Sequence, residues 1–175
     1  IVQELRNREF PWTAATTYLN NASIGPIPER TRLALESFNA RRTAPHLLPD
    51  RDLLAGLAAA REAAARLIGA AADEIALTPN TSTGINVAAR ALPLAAGDTV
   101  LLSDREFPAN VYPWLALRQE GVGGEQMPVT AEGWPDEARL LERLRDARVR
   151  VLAVSFVQFA NGYRADLAGL SAACR

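Results

Sequence analysis

After an irregular start, the hydrophobic pattern of the chain shows two helical stretches and then short apolar runs that alternate with further helical stretches. Glycines and prolines interrupt residues 1–28, which we predict to be irregular. Apolar residues at helical spacing then predict helices over Glu29–Arg42 and Asp50–Ile68. Beyond them, the pattern predicts four strands, at 74–78, 98–103, 124–129 and 149–157, and four helices, at 82–92, 109–121, 136–147 and 166–175.

This alternation is typical of the α/β class, with a mainly parallel sheet and helices on both of its faces. The last helical pattern is still running at Arg175, and four strands would leave an open sheet edge. One interpretation is a compact four-stranded domain. We favour the other, the front part of a larger fold, with an N-terminal segment and first helix at 1–50 and an incomplete large domain at 51–175.

The composition excludes several kinds of chemistry. All 19 basic residues are arginine, so the chain has no lysine, and the formal net charge is −1. A single histidine and a single cysteine leave no basis for a histidine metal cluster, a Ser-His-Asp triad or an internal disulfide. The neutral balance argues against nucleic-acid binding. No apolar run is long enough for a membrane span and no signal-peptide pattern is present, so we expect a cytoplasmic protein.

A loop of small hydroxyl residues leads into the helix predicted at 82–92. The sequence reads Thr-Pro-Asn-Thr-Ser-Thr-Gly over residues 78–84. The free N–H groups of that helix start, together with the hydroxyls of Thr81, Ser82 and Thr83, suit a phosphate group. The alternative is that Thr81 or Ser82 is only the N-cap of the helix.

Two further strand ends supply groups that suit a planar ligand. Phe107, restrained by Pro108, follows the strand at 98–103, where an aromatic ring could stack on a planar ring. The alternative is that Phe107 packs in the core. Gln158 and Asn161 follow the strand at 149–157, and their amides can hydrogen-bond a ring substituent. Together the three strand ends predict a site for a phosphorylated planar cofactor.

Four segments resemble the class V aminotransferase family of pyridoxal-phosphate enzymes, which have the fold-type-I architecture. They are YLNNASIGPIPE, TPNTSTGIN, EFPANVYPW and SFVQFANGYRADL, and the resemblance extends from about Tyr18 to Arg175. It covers the branch of cysteine desulfurases, isopenicillin-N-epimerase-like proteins and kynureninases, and only their N-terminal portion. The resemblance implies that residues 51–175 are the first part of the large domain, which binds the cofactor.

The resemblance also implies roles for particular residues. Thr81 and Ser82 would hold the cofactor phosphate, with help from the backbone of Thr83, and Phe107 would stack on the pyridine ring. Gln158 would contact the phenolic oxygen of the ring, with Asn161 as a rival for that position. In relatives, the segment that corresponds to residues 20–22 lines the substrate entrance, so the substrate-side residues would be Asn20, Asn21 and Ala22.

No catalytic residue is expected within the chain. In the family, the lysine that forms the Schiff base and the aspartate that pairs with the pyridinium nitrogen would both lie beyond Arg175. Cys174 lies on the last predicted helix, away from where a desulfurase carries its persulfide cysteine, and gives no support to that reaction. The resemblance does not choose among transamination, epimerisation, elimination and C–C or C–S cleavage.

The sequence therefore supports two functional hypotheses. The first is the N-terminal part of a pyridoxal-phosphate enzyme that acts on an amino acid or a related amine, with a homodimer implied by the family. The alternative is an inactive or split family member that binds pyridoxal phosphate or a partner chain without catalysis. Neither involves a metal, a nucleic acid or a membrane.

Overall fold

The computed structural model describes residues 2–175. Two compact units are present, one of the residues up to Leu77 and one from Thr78 to Arg175. The first unit contains three helices, α1 (Val2–Glu9), α2 (Glu29–Arg42) and α3 (Asp50–Ile68). Short 3-10 turns at Pro11–Ala14, Pro45–Leu47 and Ala72–Glu74 complete it.

The first unit confirms two predicted helices and corrects one prediction. The bounds of α2 and α3 agree with the sequence pattern, and α3 ends at Gly69, whose positive φ of 72° suits glycine. The expectation that residues 1–28 are irregular is wrong over α1. This helix is mostly polar, and it is tied to α2 through buried Glu9, whose carboxylate accepts the backbone N–H of Arg30 at 3.1 Å.

The strand predicted at 74–78 does not form. Residues Ala72–Glu74 make a 3-10 turn, and residues 75–78 pair with no strand of the described chain. An extended segment becomes a strand only when a neighbouring strand satisfies its backbone hydrogen bonds. The apolar run at 74–78 has no such neighbour, so the sheet has three strands and the prediction of four is wrong.

The second unit is built on a parallel sheet of three strands, β1 (Thr99–Ser103), β2 (Gly123–Met127) and β3 (Val149–Ala153), in the order β2-β1-β3. The central strand β1 is fully buried from Val100 to Leu102. The helices of this unit are α4 (Thr81–Ala91), α5 (Tyr112–Ala116), α6 (Glu137–Arg143) and α7 (Leu167–Ala173).

Helices cover both faces of this sheet, as predicted. Val100 and Leu102 point to one face, where they pack with Trp114 of α5 and with residues of α4. Leu101 points to the other face and packs with Leu140 of α6 and Leu170 of α7. The alternation follows from the two-residue period of a strand. It confirms the α/β class with a mainly parallel sheet.

Several elements are shorter than the sequence pattern predicts, among them the helix predicted at 136–147, which forms as α6 over Glu137–Arg143. The stretch at 109–121 consists of α5 with a 3-10 turn on either side, and Pro113, which lacks an N–H group, stands in the first turn of α5, where a helix tolerates proline. Strand β3 ends at Ala153 rather than continuing to residue 157. The backbone N–H of Ser155 donates to the side chain of Glu106 instead of to a neighbouring strand.

Candidate functional site

The loop after β1 turns sharply and presents an aromatic ring. Arg105 has a φ of 62°, which reverses the chain after Asp104. The turn is held by two hydrogen bonds, from Asp104 N to the carbonyl of Met127 at 2.8 Å and from Arg105 N to the Asp104 carboxylate at 2.9 Å. Phe107 follows with 49% of its surface exposed. The prediction that Phe107 lies at the carboxyl end of a strand is confirmed.

The start of α4 is capped by Asn80, so the alternative that Thr81 or Ser82 is the cap is wrong. The Asn80 side-chain oxygen accepts the Thr83 backbone N–H at 2.9 Å and the Thr83 hydroxyl at 3.1 Å. Gly84 N donates to the Asn80 carbonyl at 3.4 Å. The N–H groups of the first helical residues have no acceptor within a helix, so those of Thr81 and Ser82 remain available to a ligand.

A cavity of about 340 Å³ joins these two features. Its volume falls in the range of small-molecule sites. Ser82 and Asn86 are its polar residues, and the Asn86 amide donates to the Ser82 carbonyl at 2.8 Å. The remaining wall is largely apolar and comes from the loop after β1 and from α5: Phe107, Pro108, Ala109, Tyr112, Pro113 and Ala116. The structure therefore brings Ser82 and Phe107 together.

Gln158 and Asn161 use their amide nitrogens within the protein. Gln158 is 3% exposed, and its Nε2 donates to the Glu106 carboxylate at 2.6 Å. Its Oε1 is buried and has no hydrogen-bond partner among the described residues. Asn161 is exposed, and its Nδ2 donates to the Gly133 carbonyl at 2.9 Å while its Oδ1 accepts from Tyr163 N at 3.0 Å. Of the two residues proposed to contact the phenolic oxygen, Gln158 is therefore the one with a buried polar atom that lacks a hydrogen-bond partner among the described residues.

Asn161 contributes to a small assembly around a loop of residues 129–135. Trp134 of that loop stacks on Tyr163, with ring centroids 5.6 Å apart. Burial, and then the neighbouring Glu137 carboxylate, raise the pKa of the Tyr163 hydroxyl above its ordinary value. The contacts of Asn161 in the structure thus stabilise a loop, and its role toward a ligand stays a prediction.

The predicted substrate-side residues lie in the first unit, on a turn at 21–23. The Tyr18 hydroxyl lies 3.0 Å from the carbonyl of Asn20 and 2.8 Å from that of Ile24. Tyr18 also meets Trp12 edge to face, with centroids 6.0 Å apart. These contacts hold Asn20, Asn21 and Ala22 in a defined local loop, and their role toward a substrate stays a prediction.

Glu106 is the residue that the sequence pattern missed. It is 6% exposed and accepts three hydrogen bonds, from Ser155 N at 2.7 Å, from Ser155 Oγ at 2.6 Å and from Gln158 Nε2 at 2.6 Å. All three donors come from the loop after β3. A charged residue between two strand ends gives no local signal of burial, since its partners lie about fifty residues further along the chain.

A parallel α/β sheet with a capped helix start and an aromatic ring on one cavity is the arrangement expected of fold-type-I pyridoxal-phosphate enzymes. The chain belongs to the aminotransferase class-V family, whose sequence profile matches residues 17–175. This confirms the family that the four segments indicated.

Relatives and solved structures agree with that assignment. A probable cysteine desulfurase of Methanothermobacter thermautotrophicus is 31% identical over 166 residues, which cover 91% of this chain and 41% of the relative. The crystal structure of the cysteine desulfurase CsdA from Escherichia coli superposes with a TM-score of 0.81 at 28% identity, over 97% of this chain and 45% of that chain. The chain thus spans less than half the length of the proteins that it matches.

A third comparison concerns the cofactor. A variant of the protein C-DES, solved with glycine covalently linked to its pyridoxal-phosphate cofactor, superposes with a TM-score of 0.80 at 26% identity, over 97% of this chain and 45% of that chain. The cofactor predicted from the sequence is therefore supported by a PLP-bound structure of the same fold.

The residues of this chain fit such a cofactor. The free helix N–H groups and the Ser82 hydroxyl suit a phosphate, the half-exposed Phe107 ring suits a planar face, and the orphaned Gln158 Oε1 is a buried polar atom in need of a donor.

No group of three or more metal-ligating side chains occurs among residues 2–175. Over the same residues, no helix is long and apolar enough to cross a membrane.

Proposed function

We propose that this chain supplies the cofactor-binding part of a pyridoxal-phosphate-dependent enzyme that acts on an amino acid or a related amine. The observation that supports it best is that Ser82, at the start of α4, and Phe107, after β1, line one cavity. Membership of the class V family and the PLP-bound structure of the same fold support it further. No comparison supports the alternative of an inactive or split member.

In this proposal the start of α4 holds the phosphate. The N–H groups of Thr81 and Ser82 donate to phosphate oxygens, their hydroxyls add two further donors, and the helix dipole favours the negative charge. Thr83 contributes indirectly, because its N–H and its hydroxyl both donate to Asn80 and fix the first turn of the helix.

Phe107 holds the ring of the cofactor. A rigid aromatic side chain excludes water from one ring face and limits the tilt of the ring. Once bound, pyridoxal phosphate acts as an electron sink for carbanion chemistry at an amino acid. The chain has no lysine, so we assign none of its side chains to covalent attachment of the cofactor.

We propose the class of reaction, pyridoxal-phosphate chemistry on an amino acid or a related amine, and no particular reaction within it. The named relatives include cysteine desulfurases, and a sulfur-containing amino acid is one candidate substrate by analogy with them. Cys174 lies exposed at the C-terminal end of α7, and its thiol does not line the cavity of Ser82 and Phe107. We propose a homodimer and a cytoplasmic location from the family resemblance.

The proposal is tested by calorimetric titration of the chain with pyridoxal 5'-phosphate. The double variant Thr81→Ala/Ser82→Ala is expected to bind at least about tenfold more weakly, because each lost hydrogen bond to a charged group is worth about 1.5 kcal/mol or more. Thr83→Val is the comparison variant: it removes a hydroxyl that donates to Asn80 rather than to the phosphate, so it should cost less affinity than the double variant. Equal affinity of the double variant and the wild type would place the phosphate elsewhere.

A further inference from the structure

Glu106 and Phe107 are consecutive residues that contact consecutive residues of another loop. The Glu106 carboxylate accepts a hydrogen bond from Gln158 in the interior, and the Phe107 ring meets Phe159 edge to face, with centroids 5.1 Å apart. The polar pair is buried, whereas both rings are about half exposed. The two contacts connect the loops after β1 and β3 at one place, with a buried polar layer and an exposed aromatic layer.

The chemistry of Glu106 fixes the orientation of the Gln158 amide. An ionised carboxylate only accepts hydrogen bonds, so the amide must turn its Nε2 toward Glu106. The opposite orientation would set the Gln158 oxygen against the carboxylate oxygen at 2.6 Å. The amide oxygen therefore points away from Glu106, and it is this atom that is buried and has no hydrogen-bond partner among residues 2–175.

The carboxylate has no cation beside it. Among the described residues Glu106 forms no ion pair with an arginine, and its three donors are a backbone N–H, a hydroxyl and an amide. A hydrogen-bonded carboxylate holds each of its donors in a defined orientation. An apolar side chain of similar size could fill the same space but could not orient these donors.

We propose that Glu106 is a positioning residue for the ring of the cofactor, an inference that rests on the proposed function. By holding Ser155 and Gln158, it fixes the loop after β3 against the loop after β1. The Phe107 ring is thereby held against Phe159, in the orientation in which it lines the cavity with Ser82. The phosphate site at the start of α4 shares no hydrogen bond with this network.

The test separates ring binding from phosphate binding. Pyridoxamine 5'-phosphate, which has no aldehyde, and inorganic phosphate are titrated into wild type and Glu106→Leu, with unfolding in urea measured alongside. Glu106→Leu is expected to bind pyridoxamine phosphate at least about tenfold more weakly and inorganic phosphate as the wild type does. A parallel loss of both affinities would mean that Glu106 only holds the fold, and would overturn the proposal.

Isosteric variants keep the proposal testable if Glu106→Leu does not fold. In Glu106→Gln the amide oxygen can still accept from Ser155 N and Gln158, and its own Nε2 can donate to the Ser155 hydroxyl. Its affinity for pyridoxamine phosphate should stay within about threefold of the wild type. Gln158→Glu sets two carboxylates together at the position of the present Nε2–carboxylate hydrogen bond, so it should bind pyridoxamine phosphate at least about tenfold more weakly.

The outcomes distinguish the inference from the function on which it rests. No loss of affinity in Gln158→Glu would overturn the role of Glu106 while leaving cofactor binding by the wild type intact. A wild type that binds neither pyridoxamine phosphate nor pyridoxal phosphate would overturn both. Glu142→Gln is the matched control, since it removes an exposed carboxylate from α6 and should change neither affinity.

Discussion

Asn80 accepts both the backbone N–H and the side-chain hydroxyl of Thr83, at 2.9 and 3.1 Å. This relationship changes how the hydroxyl loop is understood. Three hydroxyl residues in a row suggest three equal phosphate ligands, but one of them is committed to the cap. The cap fixes the first turn of α4, and the two residues before Thr83 are left to face a ligand.

We expect Asn80→Ala to lower the free energy of unfolding by about 1 kcal/mol, because the cap to Thr83 is lost. Asn80→Asp keeps a cap acceptor and should retain the stability. It also places a negative charge beside the proposed phosphate site, so it should weaken pyridoxal phosphate binding although the fold is intact. Urea unfolding and ligand titration of both variants check this. If Asn80→Asp bound the cofactor as tightly as wild type, the phosphate would not lie at α4.

The Phe107 and Phe159 rings offer a matched pair of substitutions. Either change to alanine removes the same edge-to-face contact, so each should cost a similar amount of stability, about 1 kcal/mol. Only Phe107 lines the cavity with Ser82. Phe107→Ala should therefore weaken pyridoxal phosphate binding by about tenfold or more. Phe159→Ala removes the support of the Phe107 ring but leaves the ring itself, so it should weaken binding measurably but less.

The measurements for this pair are cofactor titration and the absorbance spectrum of the bound cofactor. The spectrum should change in Phe107→Ala because the ring loses its stacking partner. Equal losses of affinity in the two variants would indicate that the aromatic contact, rather than the Phe107 ring itself, supports the site.

Local patterns predicted the parts of the structure that depend on local forces. Helices α2 and α3 begin and end where the spacing and Gly69 place them. The strand at 74–78 was predicted from its apolar residues, but a strand depends on a neighbour that the pattern does not show. Helix α1 was missed because its residues are mainly polar, and its link to α2 through Glu9 is remote in sequence.

In the candidate site, too, the parts that depend on local sequence were predicted and the parts that depend on remote contacts were not. Ser82 and Phe107 were predicted to meet because each was placed at the carboxyl end of a parallel strand. Phe107 does follow β1, whereas the strand predicted before Ser82 does not form, so the two residues meet through the packing of α4 beside α5. The orientation of Gln158 was not predictable, since it depends on Glu106, 52 residues earlier in the chain. A buried carboxylate with neutral donors has no signature in the sequence around it.

Gly97 and Gly121 flank the sheet and are joined by a hydrogen bond from Gly97 N to the Gly121 carbonyl at 2.9 Å. Both have positive φ, 95° and 83°, so alanine at either position should cost about 1–2 kcal/mol of backbone strain. A Cβ at Gly97 meets open space, whereas one at Gly121 would lie 2.8 Å from the Ala96 Cβ and 3.2 Å from its Cα.

Gly121→Ala should therefore lower the free energy of unfolding by clearly more than Gly97→Ala, by about 1 kcal/mol or above, as expected for overpacking against a backbone that cannot move aside. Urea unfolding of the two variants measures the difference directly. Equal costs would show that the turn before β2 relaxes away from Ala96.

Asp146 connects the end of α6 to the start of β3. Its carboxylate accepts from the Arg148 side chain at 2.9 Å and from Arg148 N at 2.9 Å, and it pairs with Arg143 at 2.8 Å. These contacts, the Arg148 side chain first, lower the pKa of the Asp146 carboxyl well below its ordinary value. The folded state therefore favours the ionised form more than the unfolded state does.

The sign of the pH dependence follows from that lowered pKa. The stabilisation is fully present above the ordinary pKa of an aspartate and is lost as the pH falls through the lower pKa of the folded state. We expect Asp146→Asn to be less stable than wild type at neutral pH, with a difference that shrinks on acidification. Asp73→Asn, which removes one carboxylate from an exposed turn, is the control and should leave a much smaller difference. Thermal unfolding of the three proteins at neutral pH and across the acidic range measures these differences. A stability difference between wild type and Asp146→Asn that stays constant with pH would contradict the lowered pKa of Asp146.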